Sequence, residues 1–249
     1  MRLALAWMVT VALIFAAVAG TIAPEQSDQR HVEYGKQFKS VARLSCRNVS
    51  TNHVQQASCV ILSPTWVITA AHVVDGTDDW VVTTDDGKSL PLKSISIHKD
   101  FKGGHGRNDV ALGRVDGEFA LDCYPDLYNG DDEVGKVVTI AGYGLHGTWD
   151  TGAVESDDKK RAGSNTVDTA YGDLLVCSVD GGICTDLEFL IGSGDSGGGL
   201  FIGNQLAGIN SFVMVAGRKP KSKRGEESGH TRISCCKSWI EQEMSCHDE

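Results

Sequence analysis

The sequence predicts an all-β protein closed by one C-terminal helix, and two observations lead there. Short segments rich in Val, Ile and Thr recur along the chain, each bounded by turn-forming residues. Helical spacing of apolar residues occurs in one place, near the C-terminus. Many short strands with a single helix and no evident repeat point to barrels or sandwiches.

The elements follow in order. Residues 1–20 read MRLALAWMVTVALIFAAVAG, one Arg and then a long apolar run. Ala17-Val18-Ala19 is a small-x-small cleavage pattern. The rival reading is a membrane anchor, but the run is short for a span. Residues 1–19 are therefore expected to be a signal peptide. The protein is expected to be secreted, extracellular or periplasmic, with no membrane in its mature form. Residues 20–37 are an N-terminal segment and a candidate propeptide. Strands are then expected at SVARLSC, SCVILSP, TWVITAA, DWVVTTDD and DVALGRV, and further on at GKVVTIAG, DLLVCSV, GLFIG and QLAGINSFVMV. In SCCKSWIEQEMSC, Cys236, Trp239, Ile240 and Met244 share one helical face, which predicts a helix over about 234–245. Two polar stretches, 145–166 with ESDDKKRAGSN and 216–229 with AGRKPKSKRGEESG, are expected to be solvated loops.

At 249 residues, the chain accommodates one large domain or two fused half-domains. Apolar residues make up 41% and charged residues 22%, enough for a real core. The formal charge of −10 argues against general nucleic-acid binding, which needs a basic face. Asn48-Val49-Ser50 is a glycosylation sequon, usable only if the source cell glycosylates. Eight cysteines suggest disulfides in an exported chain. A zinc site is the rival, but the close paired spacings it needs are missing and Cys235-Cys236 is unsuited to a metal knuckle. No metal or cofactor is expected.

The chemistry sits in GSGDSGGGLF, residues 192–201. Glycine lets a backbone take unusual conformations and lets a ligand approach the main chain. A Ser hydroxyl among such residues is a poor nucleophile until a base takes its proton and a carboxylate orients that base. WVITAAHVV places His72 just after a strand, and RNDVALGRV places Asp109 at the start of another.

With these frames in place, the chain resembles the trypsin/chymotrypsin-like serine endopeptidases. TAAH at 69–72, NDVAL at 108–112, GDSGG at 194–198 and TRI…SWI at 231–240 carry the likeness in order, over about residues 38–245. The resemblance implies a peptidase domain over 38–249. It implies two six-stranded antiparallel β-barrels, near 38–122 and 132–230, with the active site in the cleft between them. It also implies that Ser196 is the nucleophile, His72 the general base, and Asp109 the residue that holds the His tautomer. The N–H groups of Gly194 and Ser196 would form the oxyanion hole, with Gly197 and Gly198 relieving crowding behind the nucleophile. Protein or peptide substrates, and protein protease inhibitors, are the implied partners of a monomer. Two other classes are weaker. An inactive homologue used for binding usually lacks a triad member, and an α/β-hydrolase esterase needs Ser first in the chain order.

The same resemblance suggests a specificity. Ser211, Phe212 and Val213 match the segment along which substrates lie. Leu190 falls at the base of the primary pocket, with Val213 and Ser228 on its walls, which predicts cleavage after small or medium apolar residues. His230 and the basic 217–225 stretch pull towards acidic residues instead. Two family cystines are missing, their positions held by Ala57 with Val73 and by Val138 with Ile202. Cys46 and Cys59 flank the first hairpin loop and are candidates to close it. Cys177 and Cys184 flank a further hairpin, and Cys123 is matched with Cys235. Asp195 occupies the position that pairs with a freed apolar N-terminus in the family. No stretch between 20 and 40 reads like that N-terminus, HVEYG at 31–35 being the nearest. An unusual N-terminus or an internal cation, Arg161, is the expected partner.

Overall fold

The computed structural model describes residues 20–104, 106–179 and 185–246. The signal-peptide reading of 1–19 and the pairing suggested for Cys184 lie outside the described residues. The described residues begin with β1 (Thr21–Ile22) and α1 (Asp28–Gly35), then enter a barrel. Its strands are β2 (Val41–Asn48), β3 (Val54–Ile61), β4 (Trp66–Thr69), β5 (Thr77–Thr83), β6 (Ser89–Ile97) and β7 (Ala111–Val115), with the one-turn α2 (Ala71–Val74) between β4 and β5. They close in the order β2-β3-β4-β7-β6-β5. Leu44, Val60, Ile68, Val82 and Leu112 fill the core without exposure. Closure leaves no strand edge unpaired, which the Val- and Ile-rich strands require.

The second half comprises β8 (Asp126–Leu127), β9 (Val137–Gly142), β10 (His146–Thr148), β11 (Gly152–Glu155), β12 (Arg161–Thr166), β13 (Thr169–Tyr171), β14 (Leu174–Ser178), β15 (Phe189–Leu190), β16 (Gly199–Ile202), β17 (Gln205–Met214) and β18 (Glu227–Arg232). One sheet runs β12-β9-β16-β17-β18-β14-β13, with β8 beside β17. A smaller one runs β11-β10-β1-β15. A parallel bridge between Ser164 and Glu188 joins the two sheets, so this half is a half-barrel where the first is closed. The helix α3 (Ile233–Cys246) buries Ile233, Cys236 and Ile240, and Trp239 packs edge-on to His98 at 4.8 Å. The molecule is mostly β with a C-terminal helix, as the sequence predicts. Among the described residues, no helix is long and apolar enough to cross a membrane.

Both stretches expected to be solvated loops are corrected by the structure. Within 145–166 lie β10, β11 and β12, and Lys160 and Arg161 are 4% and 3% exposed. Lys160 Nζ pairs with Asp85 at 2.7 Å and donates to the carbonyls of Phe38 and Val41. Arg161 is clasped by Asp28 at 2.6 Å and Asp157 at 2.9 Å. Within 216–229, Glu226 is fully buried, accepting from Arg218 and from the Lys221 N–H at 2.8 Å. A charged residue reads as solvated until its partner is known, and Asp28 and Asp85 lie far away in sequence.

Segment 20–37 is built into the fold. Residues Thr21 and Ile22 are hydrogen-bonded between β10 and β15, and His31 on α1 meets the Ala162 carbonyl at 3.0 Å. Burial pushes the His31 ring down to about 4, so it packs neutral. The seven described cysteines are free. In the β2–β3 ladder, Cys46 faces Gln55 and Cys59 faces Ala42. Four residues of strand separate them, about 13 Å, against the ~7 Å limit for a cystine. The expected Cys46–Cys59 closure is therefore excluded. Cys123 and Cys235 are exposed and unbonded, so that match is corrected too.

Candidate active site

Two adjacent barrel strands bring the base and its carboxylate together. Thr69 at the end of β4 pairs with Ala111 at the start of β7, so α2 and the residues before β7 emerge side by side. The backbone N–H of His72 donates to Asp109 Oδ1 at 2.8 Å, and ring Nδ1 lies 2.7 Å from Oδ2. A carboxylate only accepts, so Nδ1 carries the proton and Nε2 is left as the acceptor. Asp109 has no exposed surface. Burial alone would raise its carboxyl; hydrogen bonds from His72 and from the Ser211 hydroxyl outweigh this and hold it below the ordinary carboxylate value.

Ser196 enters from the other half, in the turn between β15 and β16. Its hydroxyl is 3.5 Å from the Ser211 carbonyl, and it shares with His72 a cleft of about 370 Å³ lined from both halves. The backbone around it is crowded. A Cβ on Gly197 would lie 2.0 Å from Thr69 Oγ1, and φ there is +84°, so only glycine fits. The Ser58 amide donates to the Ser196 carbonyl at 2.9 Å, which docks this turn on β3. Ser58 Oγ accepts the Tyr143 N–H at 2.9 Å and donates to the Gly194 carbonyl at 2.8 Å.

The family model described as Trypsin matches residues 31–240. The chain belongs to the trypsin family. Brachyurin of Leptuca pugilator is 29% identical over 198 residues, 73% of this chain and 84% of the relative. Serine protease 1 of Drosophila melanogaster is 28% identical over 207 residues, 72% of each chain. The solved structure of HL collagenase superposes with a TM-score of 0.69 at 20% identity, over 85% of this chain and 95% of that one. Neuropsin, a serine protease expressed in the limbic system of mouse brain, gives 0.66 at 18% identity, over 84% and 96%.

The specificity residues expected of a trypsin-family chain separate into two groups. Ser211, Phe212 and Val213 on β17 line the cleft, together with Gly192, Ser193 and the 220–222 segment. Leu190 and Ser228 do not. Leu190 pairs with Thr21 and packs with Ala23, Trp149 and Val179. Ser228 is buried, donating to the Cys177 carbonyl at 3.2 Å. His230 lies deeper still, between Asn210 Oδ1 and Ser228 Oγ at 2.9 Å each, and burial pushes it down to about 3. It is a neutral, satisfied core residue and carries no charge for an acidic substrate. Of the basic stretch, Arg218 is spent on Glu226, while Lys221 borders the cleft. Among the described residues, no group of three His, Cys, Asp or Glu is placed to hold a metal ion.

Asp195 is buried, with Oδ1 accepting the Gly144 N–H at 3.0 Å and Oδ2 the Gly192 N–H at 3.1 Å. Arg161 is not its direct partner, because Asp28 and Asp157 take the guanidinium. The Gly20 backbone also lies near this carboxyl and favours its charged form. Sequence reasoning missed this segment, since GTIA lacks the expected apolar pattern. It also missed Ser58, whose only signal is a small polar residue two positions before the Val60–Ile61 end of β3.

Proposed function

We propose that this chain is an exported serine endopeptidase that cleaves through an acyl-enzyme. Ser196 Oγ attacks the scissile carbonyl. His72 Nε2 takes its proton and returns it to the leaving amine. Asp109 holds His72 by two hydrogen bonds, one from its backbone N–H and one from ring Nδ1, and stabilises the imidazolium. The N–H groups of Gly194 and Ser196 receive the developing oxyanion, a contribution of about 10²–10³ per donor in such sites. The observation that carries this reading is the doubly bonded His72–Asp109 pair opening on the same cleft as Ser196.

Substrates are protein or peptide chains laid along Ser211–Val213. The residue before the scissile bond is small or medium and apolar. Two features support this. Val213 narrows the cleft, and none of its described lining residues is Asp or Glu, so a Lys or Arg would be buried without a counter-charge. Export is supported by the leader pattern in residues 1–19.

A serine-reactive phosphonate and a peptide panel varied at one residue test both levels. Stoichiometric labelling of Ser196, lost in Ser196→Ala with at least a 10³-fold fall in turnover, is the expected result. Unchanged proteolysis in Ser196→Ala would overturn the reading. Fastest cleavage after Lys or Arg would overturn the specificity alone, as would fastest cleavage after Glu, which would point to Lys221.

A further inference from the structure

Asn48-Val49-Ser50 is the one N-x-Ser/Thr motif in the sequence, and the catalytic arrangement makes no use of it. It lies where β2 turns into β3. Asn48 ends β2, its N–H donates to the His53 carbonyl at 2.9 Å, and its carbonyl accepts the Asn52 N–H at 2.8 Å. The side-chain oxygen is fully used. Oδ1 accepts the backbone N–H of Ser50 at 3.1 Å, that of Thr51 at 2.9 Å and the Thr51 hydroxyl at 3.1 Å. Two backbone donors on that atom fix which end of the amide is oxygen. The nitrogen is left over. Among the described residues Nδ2 donates to no protein acceptor, and it is not one of the polar atoms sealed from solvent without a partner. A sugar on Nδ2 therefore costs the turn none of its hydrogen bonds.

Two further observations show what surrounds that nitrogen. Val49 and Val54, on either side of the same turn, are 58% and 57% exposed. Gln55 and Gln56, next along β3, line the catalytic cleft. Asn48 is level with His53, so Gln55 is two strand residues away, about 7 Å. Further along the same strand, the Ser58 N–H donates to the Ser196 carbonyl at 2.9 Å. One strand thus runs from the motif to the nucleophile.

We propose that Asn48 carries an N-linked oligosaccharide that covers Val49 and Val54 and stands at the Gln55–Gln56 wall of the cleft, so that peptides enter freely and folded proteins are held off. The proposal rests on reading the chain as an exported serine peptidase, here one that passes through a glycosylating route. The donor is an oligosaccharide linked to a lipid pyrophosphate. Nδ2 forms a bond to the anomeric carbon of the first sugar. The bond from that carbon to the pyrophosphate oxygen breaks, lipid pyrophosphate leaves with the electron pair, and one amide proton goes to solvent. The product is bulky and hydrated, and its attachment point is fixed by the three bonds to Oδ1.

The test secretes the full chain from a glycosylating eukaryotic cell in three forms: parent, Ser50→Ala and Ser50→Thr. Ser50→Ala destroys the acceptor motif but keeps every Asn48 contact, since those use the residue-50 backbone and Thr51. Ser50→Thr keeps the motif. Thermal melting establishes that each is folded. Mass spectrometry is expected to find the oligosaccharide on Asn48 in the parent and in Ser50→Thr, and none in Ser50→Ala. An amidase specific for N-linked sugars is expected to remove it and leave Asp at that position. Cleavage of a short peptide should agree within twofold among all forms. Capture by a serpin whose reactive loop carries the best-cleaved peptide should be at least 10-fold faster for Ser50→Ala and for the amidase-treated parent. An unmodified Asn48 in the parent would overturn the proposal and leave the peptidase reading standing. So would equal serpin capture with and without the sugar. If no form labelled with the phosphonate or cut any peptide, the peptidase reading itself would fall, and the screening role with it.

Discussion

The hydroxyl of Ser58 donates to the carbonyl of Gly194 across 2.8 Å, tying the first barrel to the turn beside the nucleophile. The same oxygen receives the Tyr143 N–H, and Gly144 next to it donates to Asp195. One small side chain therefore restrains Gly194, the residue whose own N–H is assigned to the oxyanion. Ser58→Ala is expected to lower kcat about 5–10-fold and leave KM within twofold, the size of one hydrogen bond of ~1 kcal/mol felt mainly in the transition state. Steady-state kinetics on a single peptide check this; a rise in KM with unchanged kcat would place Ser58 in substrate binding instead.

Leu190 is packed against Ala23, Trp149 and Val179, away from the cleft lining. Leu190→Asp is therefore expected to destabilise the protein by on the order of 3 kcal/mol or more, the cost of a buried unpaired carboxylate. It is not expected to create cleavage after Lys or Arg. Urea denaturation and the peptide panel measure the two halves of this statement.

The Asp195 carboxyl is pushed up by burial to about 6, above its ordinary 3.8. A carboxyl raised in this way binds its proton more tightly in the folded state. Its contribution to stability is full below about pH 4 and is lost as the pH rises through 6. In the chain whose residue 20 is still amide-linked, Asp195→Asn should remove that loss. The melting temperature of the parent then falls relative to the variant between pH 4 and 7. Parallel profiles would show that Asp195 does not titrate in this range.

Thiol reactivity follows burial. Cys123, Cys235 and Cys246 are exposed, while Cys46, Cys59, Cys177 and Cys236 are buried. Burial pushes the thiols of Cys59 and Cys177 far up and that of Cys236 to about 12, so little thiolate is present at neutral pH. The three exposed thiols should react with a maleimide in the native protein, and the four buried ones only after unfolding. Peptide mapping of the labelled protein reads this directly.

Several features were legible because they are written in adjacent residues. Alternation and β-branching in SVARLSC, TWVITAA and DVALGRV foretold β2, β4 and β7, and helical spacing in SCCKSWIEQEMSC foretold α3. The frames around His72, Asp109 and Ser196 carried the family, and the family carried the architecture. The misread segments share one cause. Lys160 and Arg161 look solvated beside Asp157 and Asp158, and GTIA looks like the end of a leader.

What the sequence alone determined was local conformation and the order of the motifs, since each depends on neighbours a few positions away. What only the tertiary structure decided was where buried charge is compensated. Arg161 meets Asp28 across 133 positions, Lys160 meets Asp85, and Asp195 receives the Gly144 N–H across 51 positions. Coulomb and hydrogen-bond energies depend on separation in space, and burial multiplies them by lowering the local dielectric. Chain folding sets those separations, and the same folding put Leu190 beside β1 and Val213 in the cleft.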